Sequence, residues 1–160
     1  MKLIKKLKSL IVLWIIKLIY RKRINIGNKL GIRKGFNIII GKNAKVTIGN
    51  GVFFNNYCSV NSLGEIMIGD DCIFGEGVKI YDHNHLYKST ENIKQQGFSI
   101  GQVKIGNNCW IGSNVTILNN VSIGNNVVVG ANCLIYKSIP DNCIVKNGNS
   151  LIIDTIECSK

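Results

Sequence analysis

Between Ile105 and Pro140 the chain reads IGNNCWIGSNVTILNNVSIGNNVVVGANCLIYKSIP, and an aliphatic residue returns at every sixth position: Ile105, Ile111, Ile117, Ile123, Val129 and Ile135. Four residues after each comes a second small or apolar side chain: Cys109, Val115, Val121, Val127, Cys133 and Ile139. Glycine follows the aliphatic residue in four of the six repeats. A period of six matches neither the 3.6 of an amphipathic helix nor the 2 of a half-buried strand. It matches a parallel β-helix, in which three short strands make a triangular coil of about eighteen residues. The aliphatic and small positions then face inward and stack on the next coil about 4.8 Å away. The pairs Asn107-Asn108, Asn119-Asn120 and Asn125-Asn126 fall at the corners, where asparagine tolerates left-handed backbone angles.

The same period, less regular, extends toward the N-terminus through Ile26-Gly27, Ile32, Ile40-Gly41, Ile48-Gly49, Phe54, Val60, Ile68-Gly69, Phe74-Gly75 and Ile80. Each interruption reads as an insertion at a corner. The longest runs from 81 to 102, is polar, lacks the repeat and holds both histidines of the protein, His83 and His85. A long loop without its own structure in a compact repeat domain is usually functional. The predicted architecture is all-β, a parallel β-helix over 24–160 with a short helix before it, the loop at 81–102 and a C-terminal cap from Gly148 to Lys160.

Residues 1–23, MKLIKKLKSLIVLWIIKLIYRKR, place Ile4, Leu7, Ile11, Ile15 and Leu18 on one helical stripe with Trp14 beside it. The apolar run Leu10 to Ile16 is far short of the roughly 20 residues that span a bilayer. The Arg-Lys-Arg that follows is no signal-peptide cleavage site. Two readings stay open for this basic amphipathic helix. It lies in the plane of a membrane with lysines at anionic headgroups, or it packs on the β-helix or a sister subunit. Eight of the cations behind the net charge of +11 fall here with no anion, which leaves the repeat domain only mildly basic. A nucleic-acid partner has only that charge in its favour, because the charge sits on an apolar helix and not along a groove with stacking aromatics.

Six cysteines raise the question of disulfides or zinc. Cys58, Cys72, Cys109, Cys133 and Cys143 each lie four residues after a repeat aliphatic, so they read as small core residues. No C-x-x-C spacing supports zinc. Cys158, in the tail, is the thiol expected to be exposed.

The hexapeptide array, the histidine loop after Ile80, the block IGNNCWIGSNVTIL and the run VGANCLIYKSIPDN resemble the left-handed β-helix acyltransferases, in particular the maltose, galactoside and polysaccharide O-acetyltransferase branch. The similarity covers about residues 26 to 150. It implies a left-handed coil, acetyl-CoA as donor, a saccharide hydroxyl as acceptor, no required metal and a homotrimer with sites between subunits. A hydroxyl is a poor nucleophile and needs a positioned base, for which imidazole suits neutral pH. The family's catalytic histidine lies five residues after the coil aliphatic, which selects His85 counted from Ile80. His83, two residues away on the same side of an extended segment, stays open as the base. Asn55 and Asp82 fall to the acceptor. On the CoA side the resemblance implies Trp110, outward in its repeat, Gly112, Ser113 and Ala131, small enough for pantetheine to lie close, and Lys137 near the adenosine phosphates. The chain departs from the pattern at Gly148-Asn149-Ser150-Leu151-Ile152, where the family carries Gly-x-Pro-Ala and a basic residue, so one phosphate contact is missing or comes from elsewhere.

The leading expectation is therefore an acetyl-CoA-dependent O-acetyltransferase in the cytoplasm, at the inner face of the membrane, acting on a surface polysaccharide or its precursor. An N-acetyltransferase of an amino or nucleotide sugar uses the same fold and donor. A non-catalytic membrane-tethered scaffold leaves the histidine loop and Trp110 unexplained. Zinc carbonic anhydrases of this fold need three histidine ligands, and the chain has two histidines. Serine acetyltransferases carry a large helical domain before the coils, for which the stretch ahead of Ile26 is too short.

Overall fold

A computed structural model describes residues 2–148 and 152–155, with side chains in the N-terminal helix from residue 10 onward. After a helix at Lys2–Tyr20, the chain winds as a parallel β-solenoid with three faces. The first face stacks Ile24–Ile26, Lys45–Ile48, Glu65–Ile68, Gln102–Ile105 and Val121–Ile123. The second stacks Gly31–Ile32, Phe53–Phe54, Ile73–Phe74, Trp110–Ile111, Val128–Val129 and Cys143–Lys146. The third stacks Asn37–Ile40, Ser59–Ser62, Lys79–Tyr81, Thr116–Ile117 and Leu134–Ile135. Register follows the hexapeptide: Val103 lies beside Val121 and Ile111 beside Val129, eighteen positions on in each case.

Every residue assigned inward between Ile105 and Ile139 is buried. The core is a set of columns in which like sits on like. Phe54 stacks on Phe74 with centroids 4.5 Å apart and planes 15° apart, and Phe36 tilts against Phe54 at 4.9 Å. Five thiols, Cys58, Cys72, Cys109, Cys133 and Cys143, are free and buried, and burial pushes those of Cys58 and Cys133 up from the ordinary thiol value. They fill the small inward positions. Cys158 lies outside the described residues.

The corners explain the asparagines. At the first-to-second corner Lys29, Gly51, Asp71, Asn108, Asn126 and Asn142 have positive φ, and at the second-to-third corner Gly35, Tyr57, Gly77, Asn114 and Asn132 do. A non-glycine residue there costs about 1–2 kcal/mol, least for Asn and Asp. A second ladder runs up the first of these corners. The side chains of Asn50, Asp70, Asn107, Asn125 and Asp141 each accept from the backbone N–H one coil earlier, at 2.6–2.9 Å. Glycine at the second-to-third corner is set by the next coil: a Cβ on Gly112 would stand 2.6 Å from the Ala131 nitrogen.

The first coil closes earlier than the sequence pattern suggests, since Ile24 and Ile38 are already core residues. The helix lies against this end. Leu13, Ile16 and Tyr20 face the core, the Tyr20 hydroxyl donates to the Ile38 carbonyl at 3.0 Å, and the Arg23 guanidinium donates to the Ile40 and Gly41 carbonyls at 2.9 Å. An unpaired strand edge is thereby covered. At the other end Ile152–Thr155 runs back antiparallel to Cys143–Lys146, while the remainder of the expected cap lies outside the described residues.

Candidate active site

The segment 81–102 differs from the structureless loop expected. It is an arm: His83–His85 pairs antiparallel with Phe98–Ile100, the Leu86 N–H extends the pairing to the Gly97 carbonyl at 3.1 Å, and a 3-10 turn at Ile93–Gln95 closes the tip. Gln96 holds the tip in place. Its side chain accepts from the Ser89 N–H at 3.1 Å and donates to the Ser89 and Glu91 carbonyls at 3.2 and 2.7 Å.

Asp82 fixes the neck of the arm. Its neighbour Ile80 points inward, so two residues on Asp82 points inward too, and its side chain is 0 % exposed. The carboxylate accepts from the Ser62 hydroxyl at 2.6 Å, the Leu63 N–H at 2.8 Å and the Gly64 N–H at 2.9 Å. Its backbone carbonyl accepts from the Gly101 N–H at 2.7 Å, where the arm returns. This carboxylate is a buried clamp and does not present itself to an acceptor, which corrects the expectation that it binds one. Its remaining partner is His83, whose Nδ1 lies 3.0 Å from Oδ1. This contact fixes the orientation of the His83 ring and turns Nε2 away from the carboxylate.

Both imidazoles lean on one aromatic ring. Phe98 lies 5.3 Å from the His83 ring at 86° and 4.5 Å from the His85 ring at 40°. His83 is 18 % exposed, whereas His85 is open to solvent and lines a cavity of about 540 Å³ on the arm together with Asn84, Tyr87, Lys88, Glu91 and Ser99. Asn84 ties the arm to the next coil by donating to Asn119 at 2.8 Å. Phe98, Asn84 and Gln96 are not singled out by the sequence pattern. Phe98 carries the one available signal, an aromatic residue in a polar loop.

The other expected residues fall elsewhere. Trp110 is outward on the second face and 57 % exposed, and it lines a groove of about 470 Å³ with Ile73, Val128, Asn108 and Asn126. Asn55 sits at the second-to-third corner, where its side chain accepts from the Asn56 N–H at 2.9 Å and from Arg33 at 3.2 Å. Gly112, Ser113 and Ala131 share that corner. Gly112 is buried there, so its lack of a side chain already has a cause in coil packing. Lys137 follows the third face, exposed, with its ammonium 5.5 Å from the Tyr136 ring. Within one chain the histidine arm and Lys137 thus leave the third-to-first corner, while Asn55, Gly112, Ser113 and Ala131 occupy a different one.

A triangular hexapeptide solenoid with a histidine-bearing arm thrown out from one corner has the build of the left-handed β-helix transferases. A family model described as bacterial transferase hexapeptide (six repeats) matches residues 102–137. Among solved structures, a maltose O-acetyltransferase from Clostridium difficile 630 is 29 % identical over 88 % of this chain and 74 % of its own, with a TM-score of 0.76. A hexapeptide-repeat acetyltransferase from Vibrio cholerae, crystallised with acetyl coenzyme A, is 25 % identical over 88 % of this chain and 76 % of its own, with a TM-score of 0.73. An N-acyltransferase from Bacillus cereus shares the fold at 24 % identity, 85 % and 73 % coverage and a TM-score of 0.69. Residues 102–137 thus carry the hexapeptide repeat, and the chain as a whole is similar in fold to these hexapeptide-repeat acetyltransferases, the maltose O-acetyltransferase among them.

Proposed function

We propose that the protein is an acetyl-CoA-dependent acetyltransferase that acylates a saccharide hydroxyl, with His85 as general base. The observation that carries the reading is the arm itself: two imidazoles held on Phe98 beside a cavity, on a solenoid similar to acetyltransferases. In the reaction His85 takes the proton of the acceptor hydroxyl while its oxygen attacks the thioester carbonyl. The tetrahedral intermediate collapses with cleavage of the C–S bond, and the CoA thiolate recovers the proton from the imidazolium. Acceptors of about the size of one or two sugar rings suit the cavity, whose lining of Asn84, Ser99, Lys88 and Glu91 matches hydroxyl groups.

His83 is the second candidate for the base, and one specific observation favours it. Asp82 lies 3.0 Å from its Nδ1 and orients its ring, as the carboxylate of a catalytic triad orients an imidazole. Since Gly112, Ser113 and Ala131 stand at a different corner of one chain from the arm, the working site in this reading forms between copies of a homotrimer, with Trp110, Gly112, Ser113, Ala131 and Lys137 serving the donor. Gly112, Ser113 and Ala131 and the base then come from neighbouring copies.

The test is acetyl-CoA binding and thioester turnover, followed by a screen of saccharide and amino-sugar acceptors. His85→Ala is expected to keep CoA binding and lose turnover, and Trp110→Ala to weaken CoA binding. Loss of turnover in His83→Ala alone, with His85→Ala active, would transfer the base to His83. Failure to bind CoA at about millimolar concentration, a weak limit for a cofactor site, would end the acyl-transfer reading. Turnover only on amino sugars would make the enzyme an N-acetyltransferase.

A further inference from the structure

The distribution of charge along the solenoid axis is lopsided. Ahead of Glu65 the chain contains thirteen Lys and Arg and no Asp or Glu, whereas from Glu65 onward it contains seven cations against nine anions. The fold gathers this excess at one end. Each corner of the first coil carries an exposed cation: Lys29 at the first corner, Arg33 and Lys34 at the second, Lys42 at the third, with Lys45 starting the coil above. The helix is packed on that same end through Leu13, Ile16, Tyr20 and Arg23.

That packing uses only one side of the helix. The stripe expected from the sequence to seek a partner, Ile11, Ile15 and Leu18 with Trp14, points the other way and is exposed, Trp14 by 65 %. Leu10 and Ile19 widen this surface, and Lys17, Arg21 and Lys22 are exposed along it. Among the described residues no helix is long and apolar enough to cross a membrane. An apolar face flanked by cations is the pattern of in-plane insertion at a lipid surface.

We propose that this end of the solenoid docks on an anionic lipid bilayer, with the Ile11, Trp14, Ile15 and Leu18 side of the helix seated at the headgroup boundary and the cations of the first coil facing the lipid charge. Charge selects the occupant. A second copy meeting this end through the same surface would bring two uncompensated basic ends together, and a nucleic acid gains nothing from the apolar stripe between the cations. An anionic bilayer satisfies both halves of the surface. The geometry also places the arm close to the lipid. The arm leaves the third coil. Two strand spacings therefore put its neck about 10 Å along the axis from the first coil. An acceptor carried on a lipid or emerging at the membrane is then within reach, a consequence that rests on the acyl-transfer reading, whereas the docking itself does not.

The experiment is co-sedimentation of the full chain with vesicles of phosphatidylcholine alone and of phosphatidylcholine mixed with phosphatidylglycerol. A Trp110→Phe variant makes Trp14 the sole fluorescent indole. Binding to the anionic vesicles and a blue shift of Trp14 emission are expected, with binding lost at about 1 M salt, where screening acts within about 3 Å. Two variants separate the components, with thermal melting as the control for folding. Ile11→Ser, Trp14→Ser and Leu18→Ser combined should weaken partitioning at least about tenfold. Lys29→Gln, Lys34→Gln and Lys42→Gln combined should weaken it about fivefold for each charge that faces the lipid. Equal binding to neutral and anionic vesicles, or binding unchanged by both variants, overturns the proposal. So does an absence of vesicle binding, including the case in which the apolar variant instead changes the oligomer or nucleic acid proves to be the ligand.

Discussion

The coils between Gln102 and Lys137 and the arm that precedes them adjoin in sequence and are built in opposite ways. In the coils the buried side chains recur at alternating steps of two and four residues, each stacked over its equivalent one coil away, so stability is spread over columns that repeat. The arm buries almost nothing of its own. Its shape rests on backbone pairing between His83–His85 and Phe98–Ile100, on Gln96, and on one buried carboxylate at its neck. The coils therefore supply rigidity, and the arm supplies reach for two imidazoles without disturbing the core. A repeat protein can thus carry chemistry at a corner insertion whose attachment, and not whose length, is tightly determined.

Substitutions should divide along the same line. The largest effect is expected at His85. His85→Ala should reduce turnover by about a hundredfold to ten-thousandfold, the usual range for a general base, with the melting temperature unchanged. A large loss of stability there would mean that the arm and the coils are not separable. Phe74→Ala should do the reverse, because it removes a fully buried ring stacked on Phe54. Chemical denaturation should show a destabilisation of about 4 kcal/mol. Asp82→Ala stands between the two classes. It leaves the Ser62 hydroxyl and two N–H groups without their partner. That should cost about 3 kcal/mol and also lower activity through the loosened arm. Asp82→Asn, which retains the shape, should recover part of the stability, and a shift in the pH profile of turnover would show that His83 and its carboxylate take part. Asn114 holds a positive φ in the left-handed region. Alanine there should cost about 1 kcal/mol and glycine close to nothing, again read by denaturation. Thiol labelling gives the smallest signal: Cys58, Cys72, Cys109, Cys133 and Cys143 should stay unlabelled in the native protein and react once it is unfolded.

Much of the coil is legible because the contacts that bury a side chain in a solenoid recur at a fixed interval. The hexapeptide identifies Ile105, Ile111 and their successors as core, explains five cysteines and locates the asparagine corners, all from spacing. The arm is legible only as an interruption. Its two strands are polar and short, and their pairing joins residues that no local period relates. Asp82 carries a faint signal, since it continues the alternation from Ile80 into the core. Three tertiary hydrogen bonds decide that its charge is buried and satisfied there.

The N-terminal helix shows the boundary most plainly. Its sequence is apolar on more than one side, so periodicity marks a helix without saying which side meets the protein. Contact with the first coil chooses Leu13, Ile16 and Tyr20, and leaves Ile11, Trp14, Ile15 and Leu18 outside. The repeat, its inward residues and the place where it breaks depend on spacing along the chain, and the order of residues is enough to read them. Which face of the helix is free, that Asp82 clamps the arm, and that Gly112, Ser113 and Ala131 stand at a different corner from the histidine arm are settled in three dimensions. Those outcomes depend on which coil lies above which, and insertions of differing length make that stacking unreadable from local pattern.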